Sequence, residues 1–331
     1  MNNLTLVLTT YNRLELLKEM IFSLKIQTDL NFDLIIVDNH SNDGSRELLE
    51  CLDQFNNGLF IKLNWKENLG WAGSASRWNK YIQTVWVSII CDDDWLGENY
   101  VHNIKSQISP DFKGIIISGH SRTNMNGKIF KTYDMCDEYI EANTALVEFR
   151  QHKIVVAGIS GFAVRTSLVN DGFFPRFYPS GLLEDTLICV RAIADGGARI
   201  CKGSEYFRRE LDVDYVYSDR ISSWPISHAM YIKDVKKILL SANIEKSVIN
   251  LYTTNKFHSR LSYFLRSIFI NGLLFRDYRN YLYFAFNHSF AEGFFALCFC
   301  PLFLLKRKFF YSMIGYLLKK YYSVKMQSVV K

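Results

Sequence analysis

Apolar runs and helical repeats alternate along the first ~120 residues. Leu4–Thr9, Leu34–Val37, Phe60–Leu63, Val85–Ile90 and Ile115–Ser118 are short, β-branched and apolar, and predict strands. Between the first two, Leu14, Leu17, Ile21 and Leu24 recur at helical spacing, and Leu48, Leu49 and Leu52 do so in the next interval. Strand–helix–strand alternation predicts an α/β fold with a mostly parallel, doubly wound sheet. In such sheets ligands bind beyond the carboxyl ends of the strands.

Polar clusters follow four of those ends: Thr9 to Arg13, Asp38 to Gly44, Asn64 to Gly70, and Asp92-Asp93-Asp94. Further on, Asn126-Gly127 predicts a hairpin turn. A second patterned block, 158–199, holds Gly161, an aromatic-Pro stretch from Phe173 to Pro179, and Glu184-Asp185 opening a helix through Leu187, Val190, Arg191 and Ala194. Residues 228–255 predict a helical connector.

Composition excludes two classes. Of 331 residues 49% are hydrophobic, enough for a core and too many for a disordered chain, and 5 Pro with 18 Gly exclude a fibrous one. The formal net charge of +6 is unevenly spread: residues 256–331 carry twelve Lys/Arg against Asp277 and Glu292, hence +10, which leaves −4 for residues 1–255. The same tail holds 21 of the 50 aromatics. The seven cysteines show no CxxC spacing, and the opening Met-Asn-Asn lacks a basic leader, so a reducing, cytoplasmic setting is expected.

The aspartate triplet is the sharpest chemical signal. Two carboxylates 4 Å apart repel by about 4 kcal/mol at an effective dielectric of 20, so three in a row after a buried strand call for a cation. A hard divalent ion with oxygen ligands answers that need; an acidic turn capping the helix that starts near Asn99 is the plain alternative. Asp38 at a strand end suits the N3–H of a pyrimidine base, or equally an Asx turn. Asn68-Leu69-Gly70, with Gly73 and Arg77, reads as a tight turn into a helix whose arginine could meet a diphosphate or simply face solvent. Glu184-Asp185 suits the electrostatics of a helix start and could equally supply a general base. Its pKa is expected to be lowered by the helix terminus.

In this order, Leu8 to Arg13, Val37 to Ser45, Asn68-Leu69-Gly70 with Arg77, Asp92 to Leu96, and Gly181 to Asp185 through Arg191 resemble the family 2 glycosyltransferases with the GT-A fold. The resemblance spans about residues 4–200. It implies an inverting transferase that takes a nucleotide-diphosphate sugar and a divalent metal, Mn²⁺ or Mg²⁺. Thr10, Tyr11, Arg13, Asp38, Asn68, Gly70, Arg77, Asp92 and Asp93 would bind the nucleotide sugar. Asp94 and Asp92 would hold the metal, with His228 as a late contact, although a histidine packed on Trp224 is the stronger reading. Asp185 would be the catalytic base, with Glu184 and Gly161 lining the acceptor site. Asn39 stands where many members have a second aspartate, which resembles a rhamnosyl- and galactofuranosyl-type branch. The family analogy also suggests bacterial surface polysaccharide, O-antigen or capsule, as the destination, and UDP or dTDP ahead of GDP as the carrier.

Three segments follow from these expectations: a catalytic domain over 1–225 (donor half 1–120, acceptor half 121–225), a connector over 226–255 and a tail over 256–331. The tail's apolar run, Phe294 to Leu305, has twelve residues broken by Pro301 and is too short to span a bilayer. With Lys306-Arg307-Lys308 and the aromatics that follow, it suits an anionic membrane surface, and a lipid-linked glycan acceptor would then be within reach. A buried helical subdomain or dimer interface is the other reading. Nucleic acid is not expected, because that apolar run fits it poorly. A processive synthase would resemble a group that carries a QxxRW element, which is absent here. A sugar-nucleotide pyrophosphorylase would want a Gly-rich phosphate loop after the first strand. A non-catalytic carbohydrate- or membrane-binding module is the alternative from outside the enzymes.

Overall fold

In a computed structural model, residues 3–134, 138–170, 178, 183–210 and 224–253 are described. The tail, Gly181 and Leu182, most of the Phe173–Pro179 stretch and the His228 side chain lie outside the described residues. Residues 1–215 and 230–254 belong to one compact unit, which contains every site residue considered below, and 216–229 and 255–331 to a second.

Chain order begins β1 (Leu4–Thr10), α1 (Leu14–Lys25), β2 (Asp33–Asp38), α2 (Ser45–Glu50), β3 (Phe60–Asn64), α3 (Gly70–Trp78) and β4 (Trp86–Cys91). These strands form a parallel ribbon in the order β3-β2-β1-β4. β1 and β2 are covered on both faces, so they read as continuous apolar runs rather than alternating ones. β3 is the edge; it alternates, and Lys62 marks its outer face. α1 buries Leu17, Met20, Ile21 and Leu24 against the sheet, the stripe its spacing predicts.

The second half is mixed. β5 (Trp95–Leu96), α4 (Tyr100–Ser106), β6 (Ile115–Thr123), β7 (Ile129–Tyr133), β8 (Glu138–Ile140) and α5 (Ala142–Arg150) come first. β9 (Phe162–Arg165), α6 (Thr166–Asn170), α7 (Glu184–Gly196), β10 (Ala198–Arg209), α8 (Trp224–Ser241) and α9 (Lys246–Thr253) complete the described chain. β6 is not the neighbour of β4. The four-residue β9 runs between them, antiparallel to both, so β4 and β6 still point the same way. β10 lies parallel to β6 and antiparallel to β5. The carboxyl ends of β1, β2, β3, β4, β6 and β10 therefore open on one edge.

Gly161 makes the β9 insertion possible. Its φ is +77°, and a Cβ there would sit 3.1 Å from the Ala157 Cβ. Its carbonyl accepts from the Ser118 amide at 2.9 Å, tying the start of β9 to β6. The β6–β7 hairpin turns at Asn126-Gly127 as expected, with the Gly127 amide donating to the Asn124 carbonyl.

Candidate active site

Register brings the polar strand ends together. Thr10 pairs Asp38, Asp38 pairs Asn64, and Thr9 pairs Cys91, so four parallel strands finish within one residue of level. The loops beyond them are stitched by side chains: the Asn12 amide donates to Ser41 Oγ, the Asn42 amide to Asn12 Oδ1, and the Leu14 amide to Asp43 Oδ2. Tyr11 stands out from this edge, 42% exposed.

Two groups form along it. In the first, Thr10 Oγ1 donates to Asp92 Oδ2 at 2.7 Å, and Arg13 Nη1 bridges Asp92 Oδ1 at 2.8 Å and Asp93 Oδ2 at 2.9 Å. Burial pulls the Arg13 guanidinium down, but the two carboxylates outweigh it and hold it charged. Asp92 is itself pushed up by burial, against the pull of Arg13. Asp94 turns the other way: Tyr206 Oη donates to its Oδ2 at 2.7 Å and the Arg209 amide to its Oδ1 at 2.8 Å. Burial first, then the charge of Asp93, raise Asp94 to about 7. The triplet is no solvated capping turn, since Asp92 and Asp94 are each only 4% exposed.

A metal-binding set is present there. Ligand atoms of Cys91, Asp93 and Asp94 lie within 4.8 Å of one another. Two hard carboxylates suit Mn²⁺ or Mg²⁺, which fill their remaining positions with water and phosphate oxygens. The Cys91 thiol, raised by burial and by Asp94, stays protonated and is a poor partner for a hard ion. The carboxylate beside Asp94 in this set is Asp93, while both oxygens of Asp92 are taken by Thr10 and Arg13.

The second group surrounds Asp38, which is fully buried. Arg46 Nε and Nη2 both donate to its Oδ2, and the Ser41 amide donates to its Oδ1 at 3.0 Å. The local turn contact is thus made, and an arginine on the following helix is added. Asn39 joins the next loop: its Nδ2 donates to Asn68 Oδ1 at 2.8 Å, and its Oδ1 accepts from the Leu69 amide at 3.0 Å. Asn68 Oδ1 also caps the Gly70 amide, and Gly70 has a φ of +64°. An aspartate at 39 would have no hydrogen to offer Asn68. Arg77 stands near the surface, 3.6 Å from Glu67 and 5.9 Å from the Trp65 ring.

Glu184 and Asp185 open α7 as expected, with different surroundings. Glu184 is 4% exposed and accepts from the Tyr178 and Leu183 amides, so it locks the start of the helix. Asp185 is partly exposed; it accepts from the Thr186 amide at 2.7 Å. Its pKa is raised, not lowered. Burial outweighs the Thr186 hydrogen bonds and the positive charge of Arg208. The expectation of a lowered pKa fails because desolvation acts on the whole charge, whereas a helix terminus offers partial charges.

Arg208 connects the two carboxylate centres, since its charge pulls down both Asp94 and Asp185. This residue, Tyr206 and Arg209 are supplied by β10, a strand that the hydrophobic pattern does not announce. The adjacent arginines after an aromatic pair, Tyr206-Phe207-Arg208-Arg209, were the available signal.

Residues 5–173 match the model of the family described as Glycosyl transferase family 2. Glycosyltransferase GlyA of Streptococcus pneumoniae serotype 4 is 22% identical over 141 residues, 42% of this chain but only 20% of GlyA. Among solved structures, S. aureus TarS residues 1–349, also solved with UDP-GlcNAc, superposes with a TM-score of 0.56 at 13% identity, covering 89% of each chain. The mannosyltransferase PcManGT from Pyrobaculum calidifontis, in complex with GDP-Man and Mn²⁺, gives 0.50 at 16% identity, covering 96% of this chain and 85% of that one.

Proposed function

The chain belongs to glycosyl transferase family 2, and from that premise we propose that it moves a sugar from a nucleotide diphosphate to a glycan hydroxyl with inversion. The GT-A fold and the glycosyltransferase class are established by the family and by the superpositions. What most supports the finer reading is the clustering of ligand atoms of Asp93 and Asp94, with Arg208 near enough for its charge to act on both Asp94 and Asp185.

In this reading Asp93 and Asp94 would hold the divalent ion, and Thr10, Tyr11, Arg13, Asp92 and the Asn68–Gly70 turn would shape the donor pocket. A bound metal would supply positive charge for the departing diphosphate. Arg13 holds Asp92 and Asp93 in place, and Tyr206 and the Arg209 amide fix Asp94. Asp185 takes the proton of the acceptor hydroxyl as that oxygen attacks the anomeric carbon from the face opposite the leaving group. Arg77, on the exposed side of α3, is assigned to the outer end of the donor. Asp38 serves the base indirectly, by fixing the 38–46 loop through Arg46 and Ser41.

UDP or dTDP is proposed as the carrier; the UDP-GlcNAc complex of TarS supports it, while PcManGT takes GDP-Man. Asn39 says little about the sugar branch, because its hydrogen bonds to the 68–69 turn already account for an amide there. Screening UDP-, dTDP- and GDP-sugars with and without Mn²⁺ by thermal unfolding tests the donor reading. At 100 times its dissociation constant the right donor adds about 2.7 kcal/mol. Stabilisation by one carrier, lost on chelation, is expected; none from any carrier would contradict it.

The proposed division is a catalytic domain over 1–225, a connector over 226–255 and a membrane-facing tail over 256–331, placing the enzyme on the inner face of the cytoplasmic membrane beside a lipid-linked acceptor. No helix among the described residues is long and apolar enough to cross a membrane. Flotation with anionic vesicles is expected to carry the full chain and to leave a chain truncated after residue 255 behind. Equal flotation of both would contradict the anchor.

A further inference from the structure

Three cations stand in register across adjacent strands. Lys131 on β7 pairs Arg122 on β6, and Arg122 pairs Arg208 on β10. Residues directly opposite in a sheet project from the same face, and like charges so placed repel. Two residues along on the same face, Tyr133 pairs His120, their rings 4.6 Å apart. All three cations, after burial, hold the His120 pKa down at about 4.

Compensation within the protein is incomplete. Arg122 pairs with Glu210 and, with Lys131, interacts with the Tyr133 phenol. Arg208 makes no side-chain hydrogen bond or ion pair among the described residues, and Lys131 is exposed. The Arg122 Nε is buried without a hydrogen-bond partner, and so is Nδ1 of His120, a residue only 1% exposed. A row of three cations with one ion-paired carboxylate, Glu210, and with buried, unused nitrogens beside it fits an oxyanion.

We propose that Lys131, Arg122, Arg208 and His120 form a binding site for an oxyanion group, phosphate or carboxylate, carried by the acceptor. The inference rests on the transferase reading and names its substrate class. β6 and β7 are not among the strands proposed for the donor, whereas β10 also holds Asp94 through Tyr206 and the Arg209 amide, so the row reaches the donor site at that strand. Arg208, at the end of the row, acts through its charge on Asp185, the base that must reach the acceptor hydroxyl. A glycan with an anionic substituent near its reactive hydroxyl would thereby be oriented for proton removal.

Inorganic phosphate is the probe. Its titration into the full chain is followed by NMR at the His120 imidazole, whose signals are assigned by their loss in His120→Gln. Saturable shifts are expected, with about tenfold weaker binding in Lys131→Gln, an exposed position that leaves the fold intact. The same affinity is expected with UDP and Mg²⁺ saturating the donor pocket. Absence of saturable shifts, or unchanged affinity in Lys131→Gln, would overturn the site. Displacement of phosphate by UDP would assign it to the donor diphosphate and overturn the acceptor role. The donor screen is independent of this: stabilisation by a sugar nucleotide without phosphate shifts removes only the acceptor inference, whereas no donor response removes the transferase reading beneath it.

Discussion

Replacing Asp185 by asparagine is expected to lower turnover by about 10²–10⁴-fold, the usual contribution of a positioned general base, while donor affinity changes little. Asparagine keeps the shape and can still accept from the Thr186 amide through its Oδ1, so the opening turn of α7 should persist. It cannot take a proton. The wild-type pH profile carries the same information. A base must be ionised to act, so the rate falls as pH drops through its pKa. Because burial raises that pKa, the acid limb should sit above the ordinary aspartate value of about 4 and vanish in Asp185→Asn. Near-normal turnover by the variant would remove Asp185 from the mechanism.

Asp94→Ala is expected to abolish the metal dependence of nucleotide binding in calorimetry. The substitution deletes one of two hard ligands and leaves the Tyr206 hydroxyl and the Arg209 amide without their acceptor in a buried place. An unsatisfied buried donor costs about 1–3 kcal/mol, so some loss of stability should accompany the loss of function. Asp94→Asn separates the two effects. Its amide oxygen can serve one of those donors, so it should unfold closer to the wild type and yet bind nucleotide no better with Mn²⁺ than without. Retained metal dependence in Asp94→Asn would place the ion elsewhere.

How much of this was legible depended on the range of the interactions. β1 to β4 announced themselves because strands covered on both faces need uninterrupted apolar runs, and α1 because one face repeats. β9 did not: four residues after Gly161 carry no period, and their place is fixed by the neighbours β4 and β6. The triplet was visible, but which carboxylates face each other was not. That depends on Arg13 reaching back from the first loop and on Tyr206 arriving from β10, 112 residues away. Asp38 illustrates the same limit, since its pairing with Arg46 is a matter of how α2 turns over the strand end. The sign of the Asp185 shift is hidden from local sequence for a related reason. A helix start can be read from neighbours in sequence, whereas burial comes from the whole fold.

The proposed transfer is a single displacement between the Asp93–Asp94 pair and Asp185. The anomeric configuration of the first-formed product, read by proton NMR from the donor that the screen selects, tests it most directly. Inversion relative to the donor is the predicted result. Retention of configuration would require two displacements and would contradict the assignment of Asp185 as the base of a one-step transfer.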